Sequence, residues 1–286
     1  MRQTQRVGPG TVAIVTGASS GIGFAAAREL ARRGATVVAV ARREPQLRTL
    51  IEACRTESPA SHYLAGDLGE RAFAERVVAE SAQRHGRLDV LVNNHAISKH
   101  KHALHCSADE AELVMRVNFL SCVWTTHAAL PVLLRQGSGV IVNVSSFAAQ
   151  VVPPREGLYA ASKAALDAFT AGLWNDLAGS GIHVGLVIPG AIDTEIWQKE
   201  DEPPGFSGKK HPPALVVRAI LDVIERRRYE VMAPALDAGL TTAKLLRWIA
   251  PRVLRSGMAR MEPVPAALLE SARERARRGL RLGERE

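Results

Sequence analysis

"TVAIVTGASSGIGFAAARELARRG", residues 11–34, holds a strand, a turn and a helix in one stretch. The β-branched run at 11–16 reads as a buried strand. The amphipathic segment 21–34 reads as a helix that stops at Gly34. Between them, Gly17, Gly21 and Gly23 let the backbone turn tightly and approach a pyrophosphate, whose charge rests on amides at a helix N-terminus. Their spacing is G-x-x-x-G-x-G, not the G-x-G-x-x-G of most dinucleotide folds. A glycine turn that follows a strand and opens a helix marks the start of a β–α–β unit.

The alternation continues outward. "TVVAVA" (36–41), "LDVLVN" (88–93), "GVIVNV" (139–144) and "HVGLVI" (183–188) read as further buried strands, with "HYLA" (62–65) and "YEVMA" (229–233) as shorter ones. Seven such strands with helical patterns between them predict a parallel, doubly wound, Rossmann-like α/β sheet covered by helices on both faces. Residues 1–10 read as a flexible extension, 11–235 as the nucleotide-binding domain and 236–286 as a basic helical extension. The Pro/Gly-rich 201–213 reads as a mobile loop.

Composition narrows the class. The 286 residues are 47% hydrophobic with a net charge of +8, enough for a large core. The three scattered cysteines lack metal or disulfide spacing, and "MRQTQRVGPG" lacks the apolar core of a signal peptide. No uninterrupted apolar run approaches the length of a membrane span. These features predict a cytoplasmic protein. Six arginines against three glutamates in 271–286 suggest a solvated helix with Glu–Arg pairs rather than a nucleic-acid tail.

The second strand decides the nucleotide. It ends in "VARRE" (40–44), where an NAD site would place a carboxylate on the ribose 2′-hydroxyl. A guanidinium instead grips a 2′-phosphate with paired hydrogen bonds. NADP(H) is therefore expected over NAD(H), with Arg42 as the main contact and Arg43 beside it.

"YAASK" (159–163) places a tyrosine and a lysine one helical turn apart. A phenol near pKa 10 is a poor base at neutral pH, and useful catalysis asks for a drop of about 3–4 kcal/mol. A cation around 4 Å away supplies about 4 kcal/mol at an effective dielectric of 20. The spacing reads as a device for making a phenol acidic.

Taken with "GDL" (66–68), "NVSS" (143–146) and "IPGAIDT" (188–194), these motifs resemble the short-chain dehydrogenase/reductase family in its shorter form, over roughly residues 11–235. The resemblance implies a catalytic quartet of Asn118, Ser146, Tyr159 and Lys163. It implies cofactor contacts from Gly17, Ser19, Ser20, Gly21, Ile22 and Gly23, and from Arg42 and Arg43. Asp67 and Leu68 would meet the adenine, Asn94 and Lys163 the nicotinamide-side ribose and Thr194 the carboxamide, with Tyr159 and Ile192 also in contact with the cofactor. Asn118 would hold a water in a proton relay, against the simpler reading of an asparagine satisfied in a helix kink. The family pattern also implies a homodimer or homotetramer.

One departure stands out. The family's N-N-A-G is "NNHA" (93–96) here, and His95 adds bulk expected to shift the cofactor or narrow the entrance. The expected reaction interconverts an alcohol and a carbonyl on an apolar substrate, near Phe147, Val151, Val152, Ile192, Ile196 and Trp197. The alternative is a non-catalytic NADP-binding sensor on the same fold. "HAISKHKHALHC" (95–106) has spacing compatible with zinc, but hydride chemistry asks for no metal, so none is expected; it reads as a solvated loop, with contacts at the active-site rim as the other reading. "LTTAKLLRWIAPRVLRSGMARM" (240–261) is expected to pack over the substrate mouth or against a second subunit, with weak peripheral membrane contact as the other reading.

Overall fold

The computed structural model describes residues 6–198, 208–235 and 238–278. Seven strands, β1 (Val12–Thr16), β2 (Thr36–Ala41), β3 (His62–Ala65), β4 (Val90–Asn93), β5 (Gly139–Val144), β6 (Ile182–Pro189) and β7 (Glu230–Ala233), form one sheet. The order is β3-β2-β1-β4-β5-β6-β7, and every pairing is parallel. Every residue of β1, β4, β5 and β6 is buried, which is why these strands are apolar runs rather than alternating ones.

Helices cover both faces. On one lie α1 (Gly21–Arg32), α2 (Glu44–Cys54) and α8 (Ala214–Arg226), packed through Ala27, Leu30, Leu47 and Ile220. On the other lie α3 (Arg71–His85), α5 (Ser121–Gln136) and α7 (Gly157–Asp176), packed through Val77, Leu133 and Leu173. Helix α4 (Ala108–Met115) begins with a capping box, in which the Glu110 amide donates to Ser107 Oγ at 3.2 Å. It runs into α5 through a widened π turn, Arg116–Leu120. Residues 108–136 are long and apolar enough to cross a membrane by length and composition. Here, however, Cys122, Ala129 and Leu133 of α5 are fully buried in the fold.

After β5 come the short α6 (Ala148–Val151) and α7; after β7 come α9 (Ala238–Ile249), α10 (Pro251–Met261) and α11 (Ala266–Arg277). Leu240 and Ala243 of α9 pack on Phe147, Leu186 and Ile188, so the extension does sit beside the carboxyl end of the sheet. Pro251 separates α9 from α10, whereas Gly257 lies within α10 without breaking it. Helix α11 is exposed, and Arg278 pairs with Glu274 one turn back. Most of the loop expected at 201–213, and the chain from 279 on, lie outside the described residues.

The chain leaves β1 toward β2 and β3, then returns to add β4 on the other side of β1. That reversal opens a crevice beyond the carboxyl ends of β1 and β4, where sheets of this kind bind ligands.

Candidate active site

The glycine loop follows β1, and each of its glycines is demanded by a neighbour. Gly17 has φ +67°, and a Cβ there would lie 2.8 Å from the His95 Cα. A Cβ on Gly23 would lie 2.3 Å from the Gly17 carbonyl oxygen, and one on Gly21 3.0 Å from the Thr194 methyl. Asn94 secures the loop from below: its side-chain amide donates to the Thr16 carbonyl at 3.0 Å and its backbone amide to Thr16 Oγ1 at 2.9 Å. At the start of α1, Ser20 makes no side-chain cap and the first turn carries no acid. The helix's positive end therefore faces the loop without a side-chain acceptor of its own.

The two arginines after β2 differ. Arg43 donates to Ser19 Oγ at 3.2 Å and pairs with Glu195 at 2.8 Å, tying the glycine loop to the segment after β6. Arg42 is exposed, with no hydrogen bond among the described residues. After β3, Asp67 accepts the Gly69 amide at 2.8 Å and Leu68 is buried. Ile192 pairs with His211, and its carbonyl accepts the Trp197 indole at 2.7 Å.

His95 departs from the expectation of bulk at the cofactor or the entrance. Its ring turns into the interior, with Nδ1 2.8 Å from Thr16 Oγ1 and Nε2 against Ser121 Oγ. Burial, with the Lys163 charge adding to it, drives the imidazole down to about 3. A neutral ring thus links the strand before the glycine loop to the start of α5.

Ser146 follows β5, half-buried, and its Oγ accepts the Ala148 amide at 3.1 Å. Tyr159 and Lys163 lie one turn apart on α7, and the fully buried Lys163 donates to the Val144 carbonyl at 2.9 Å. Burial pushes the Lys163 ammonium below its ordinary value, opposed by the nearby Cys122 and Asp167 side chains, the Cys122 thiol itself being pushed up to about 11 by burial. Asn118, in the π turn, is also fully buried. Its Oδ1 accepts the Ile97 amide at 2.8 Å, and its Nδ2 donates to the Ile97 carbonyl at 2.9 Å and to Ser162 Oγ at 3.0 Å. The side chain is thus satisfied within the π turn, and it ties the loop after β4 to α7. Ser162 passes the tie onward by donating to the Tyr159 carbonyl at 2.7 Å.

Three features lie beyond the sequence reading. Asp167, one turn past Lys163, accepts from Ser145 Oγ and from Gln150 Nε2 at 3.0 Å, bracketing Ser146. The segment from Ser146 to Tyr159 contains Val152 and Arg155 at φ +52° and +63°, a backbone region that a β-branched residue rarely enters. Gln150, Val151, Val152, Pro154 and Arg155 of that segment form one wall of a cleft of about 750 Å³, whose other wall includes Trp248, Leu254 and Met258 of α9 and α10; Ser146 and Tyr159 do not line it. Of the expected apolar neighbours, Val151 and Val152 line this cleft.

The 95–106 loop is packed rather than solvated. His100 is buried, and Lys99 and Lys101 both reach Glu110, at 3.2 and 2.7 Å. Burial pushes the Glu110 carboxyl up, but Lys101, the Ser107 amide and Lys99 pull it down to about 2. Among the described residues, no three His, Cys, Asp or Glu side chains converge as a metal site would need.

Comparison with known proteins matches residues 11–205 to the family described as short chain dehydrogenase. The 11-beta-hydroxysteroid dehydrogenase 1A of Arabidopsis thaliana is 40% identical over 193 residues, 66% of this chain. The chain spans only 54% of that relative's length, and 63% of a short chain dehydrogenase of Pseudocercospora fijiensis that is 35% identical to it. A short-chain dehydrogenase of Sphingobium yanoikuyae, solved with NADPH, superposes with a TM-score of 0.73 at 29% identity, covering 90% of this chain and 97% of its own. A family member of Burkholderia phymatum, solved with NAD, shares the fold with a TM-score of 0.77 at 24% identity, covering 85% of this chain and 95% of its own.

Proposed function

The chain belongs to the short-chain dehydrogenase/reductase family, and on that premise we propose that it interconverts an alcohol and a ketone or aldehyde, with NADP(H) as the hydride carrier. The observation that carries this reading is the buried Lys163 one turn from Tyr159, on a helix that Asn118 ties to the loop after β4. A protein that only bound a nucleotide could use Lys163 on the ribose but would have no use for Tyr159 and Ser146 kept together with it.

The site fits a dinucleotide. The glycine loop leaves no space for side chains, and the first turn of α1 offers its amides. The exposed, unengaged Arg42 suits a 2′-phosphate, with Arg43 fixing the loop beside it. Asp67 and Leu68 would hold the adenine, Asn94 and Lys163 the second ribose and Thr194 the carboxamide, with Ile192 also in contact with the cofactor. The cofactor supplies or accepts the hydride when bound.

This chain's residues manage the proton. Tyr159 gives its phenolic proton to the carbonyl oxygen in reduction, or takes the hydroxyl proton in oxidation. Ser146 donates a hydrogen bond to the same oxygen and stabilises its developing charge. Lys163 makes the phenolate less costly, and Asn118 holds α7 against the loop after β4. The cleft between α9, α10 and residues 150–155 supports a largely apolar substrate. Exposed Leu134 and Trp174 on α5 and α7 support subunit contacts in a cytoplasmic homodimer or homotetramer.

A panel of apolar ketones and alcohols, followed by absorbance of the reduced cofactor with NADPH and NADH in parallel, tests the proposal. Turnover of at least one carbonyl, about tenfold or more faster with NADPH, is expected. Tight NADPH binding without turnover anywhere in the panel would favour the non-catalytic sensor instead, and equal affinity for both cofactors would remove the role given to Arg42.

A further inference from the structure

We propose that the outer face of α9 and α10 docks on an anionic lipid surface. The inner face of this pair is used by the fold: Leu240 and Ala243 pack beside the sheet end and Leu254 is buried. The outer face is not. Leu245, Ile249 and Val253 on it are 56–68% exposed, and Trp248, 76% exposed at the rim of the cleft, stands beside them at the corner where Pro251 joins the helices. Single exposed apolar residues are ordinary, but four within nine positions form a patch that calls for a partner.

Charge selects the partner. Residues 238–261 contain Lys244, Arg247, Arg252, Arg255 and Arg260 and no acid. Lys244 is occupied by Glu230 at 2.7 Å, and Arg247 donates to Gln150 at 3.1 Å and to the Ala149 carbonyl at 3.2 Å. Arg252, Arg255 and Arg260 are exposed and have no ion pair among the described residues. A second copy seated on this face about a two-fold axis would set these cations against themselves. Anionic headgroups would neutralise them, while Trp248, Ile249 and Val253 enter the boundary between headgroup and acyl chain, where tryptophan is favoured.

The test is co-sedimentation of the full chain with phosphatidylcholine vesicles, with and without phosphatidylglycerol. Binding to the anionic vesicles alone, weakened by added salt, is expected. Two double variants avoid the cleft wall: Ile249→Ser with Val253→Ser, and Arg252→Gln with Arg260→Gln. Both are expected to keep the wild-type melting temperature. The arginine pair is expected to lose about fivefold in partitioning per residue and the apolar pair about tenfold or more. Absence of binding to anionic vesicles at low salt overturns the proposal, as does binding that neither variant weakens. A wild-type dimer that becomes monomeric in the serine variant, without vesicle binding, would assign the face to a second copy instead.

Discussion

Asp167 stands four residues beyond Lys163 on α7, so the i, i+4 spacing that singles out Tyr159 and Lys163 extends one step further. Burial, the largest influence, raises its carboxyl from 3.8 to about 6, against the pull of Ser145, Lys163 and Gln150. The folded carboxyl keeps its proton to about pH 6 while the unfolded one releases it near 3.8. Its contribution to stability therefore falls as pH rises from about 4 to about 6. Asp167→Asn cannot ionise there, so the variant is expected to gain about 2–3 kcal/mol on the wild type across that window in urea unfolding. Any fixed cost of the altered hydrogen bonds leaves this trend untouched, and a pH-independent difference would refute it. Asp167 is thus legible from helical spacing once Lys163 is recognised. The inward turn of His95 is not, because nothing in "NNHA" says that Thr16 and Ser121 offer its two nitrogens partners.

At the scale of elements, the strands are legible because burial on both faces forces β-branched, apolar runs, and even the four-residue β3 and β7 fall where their short runs do. The π turn between α4 and α5 is hidden, since its five residues carry no breaker and the helical pattern continues through them. The glycine loop is legible as a phosphate cradle, but its glycines also serve internal packing that spacing does not reveal. Gly23 is the most confined, and its missing Cβ would meet a backbone oxygen that no rotamer change can move. Gly23→Ala is expected to lower NADP affinity tenfold or more and to lower the melting temperature, measured by calorimetry with and without cofactor. Unchanged affinity would show that the loop relaxes freely.

Across the whole molecule, seven parallel strands direct their carboxyl ends to one rim, and residues between 17 and 194 gather there although the chain scatters them. Motif order makes this assembly legible, because each motif directly follows a strand or sits on α7. The C-terminal helices are less so: amphipathic periodicity gives their existence, but only the packing of Leu240 and Ala243 on Phe147 shows which side meets the sheet. The 750 Å³ cleft follows from that placement and not from any motif. The account rests on Tyr159 exchanging the proton under the influence of Lys163, and Tyr159→Phe removes the hydroxyl while sparing the ring and the cation. Turnover and NADP binding should be measured on the same preparation of this variant. The expected result is a loss of about 10²–10⁴-fold in turnover with NADP affinity intact, whereas turnover near the wild-type rate would contradict the account.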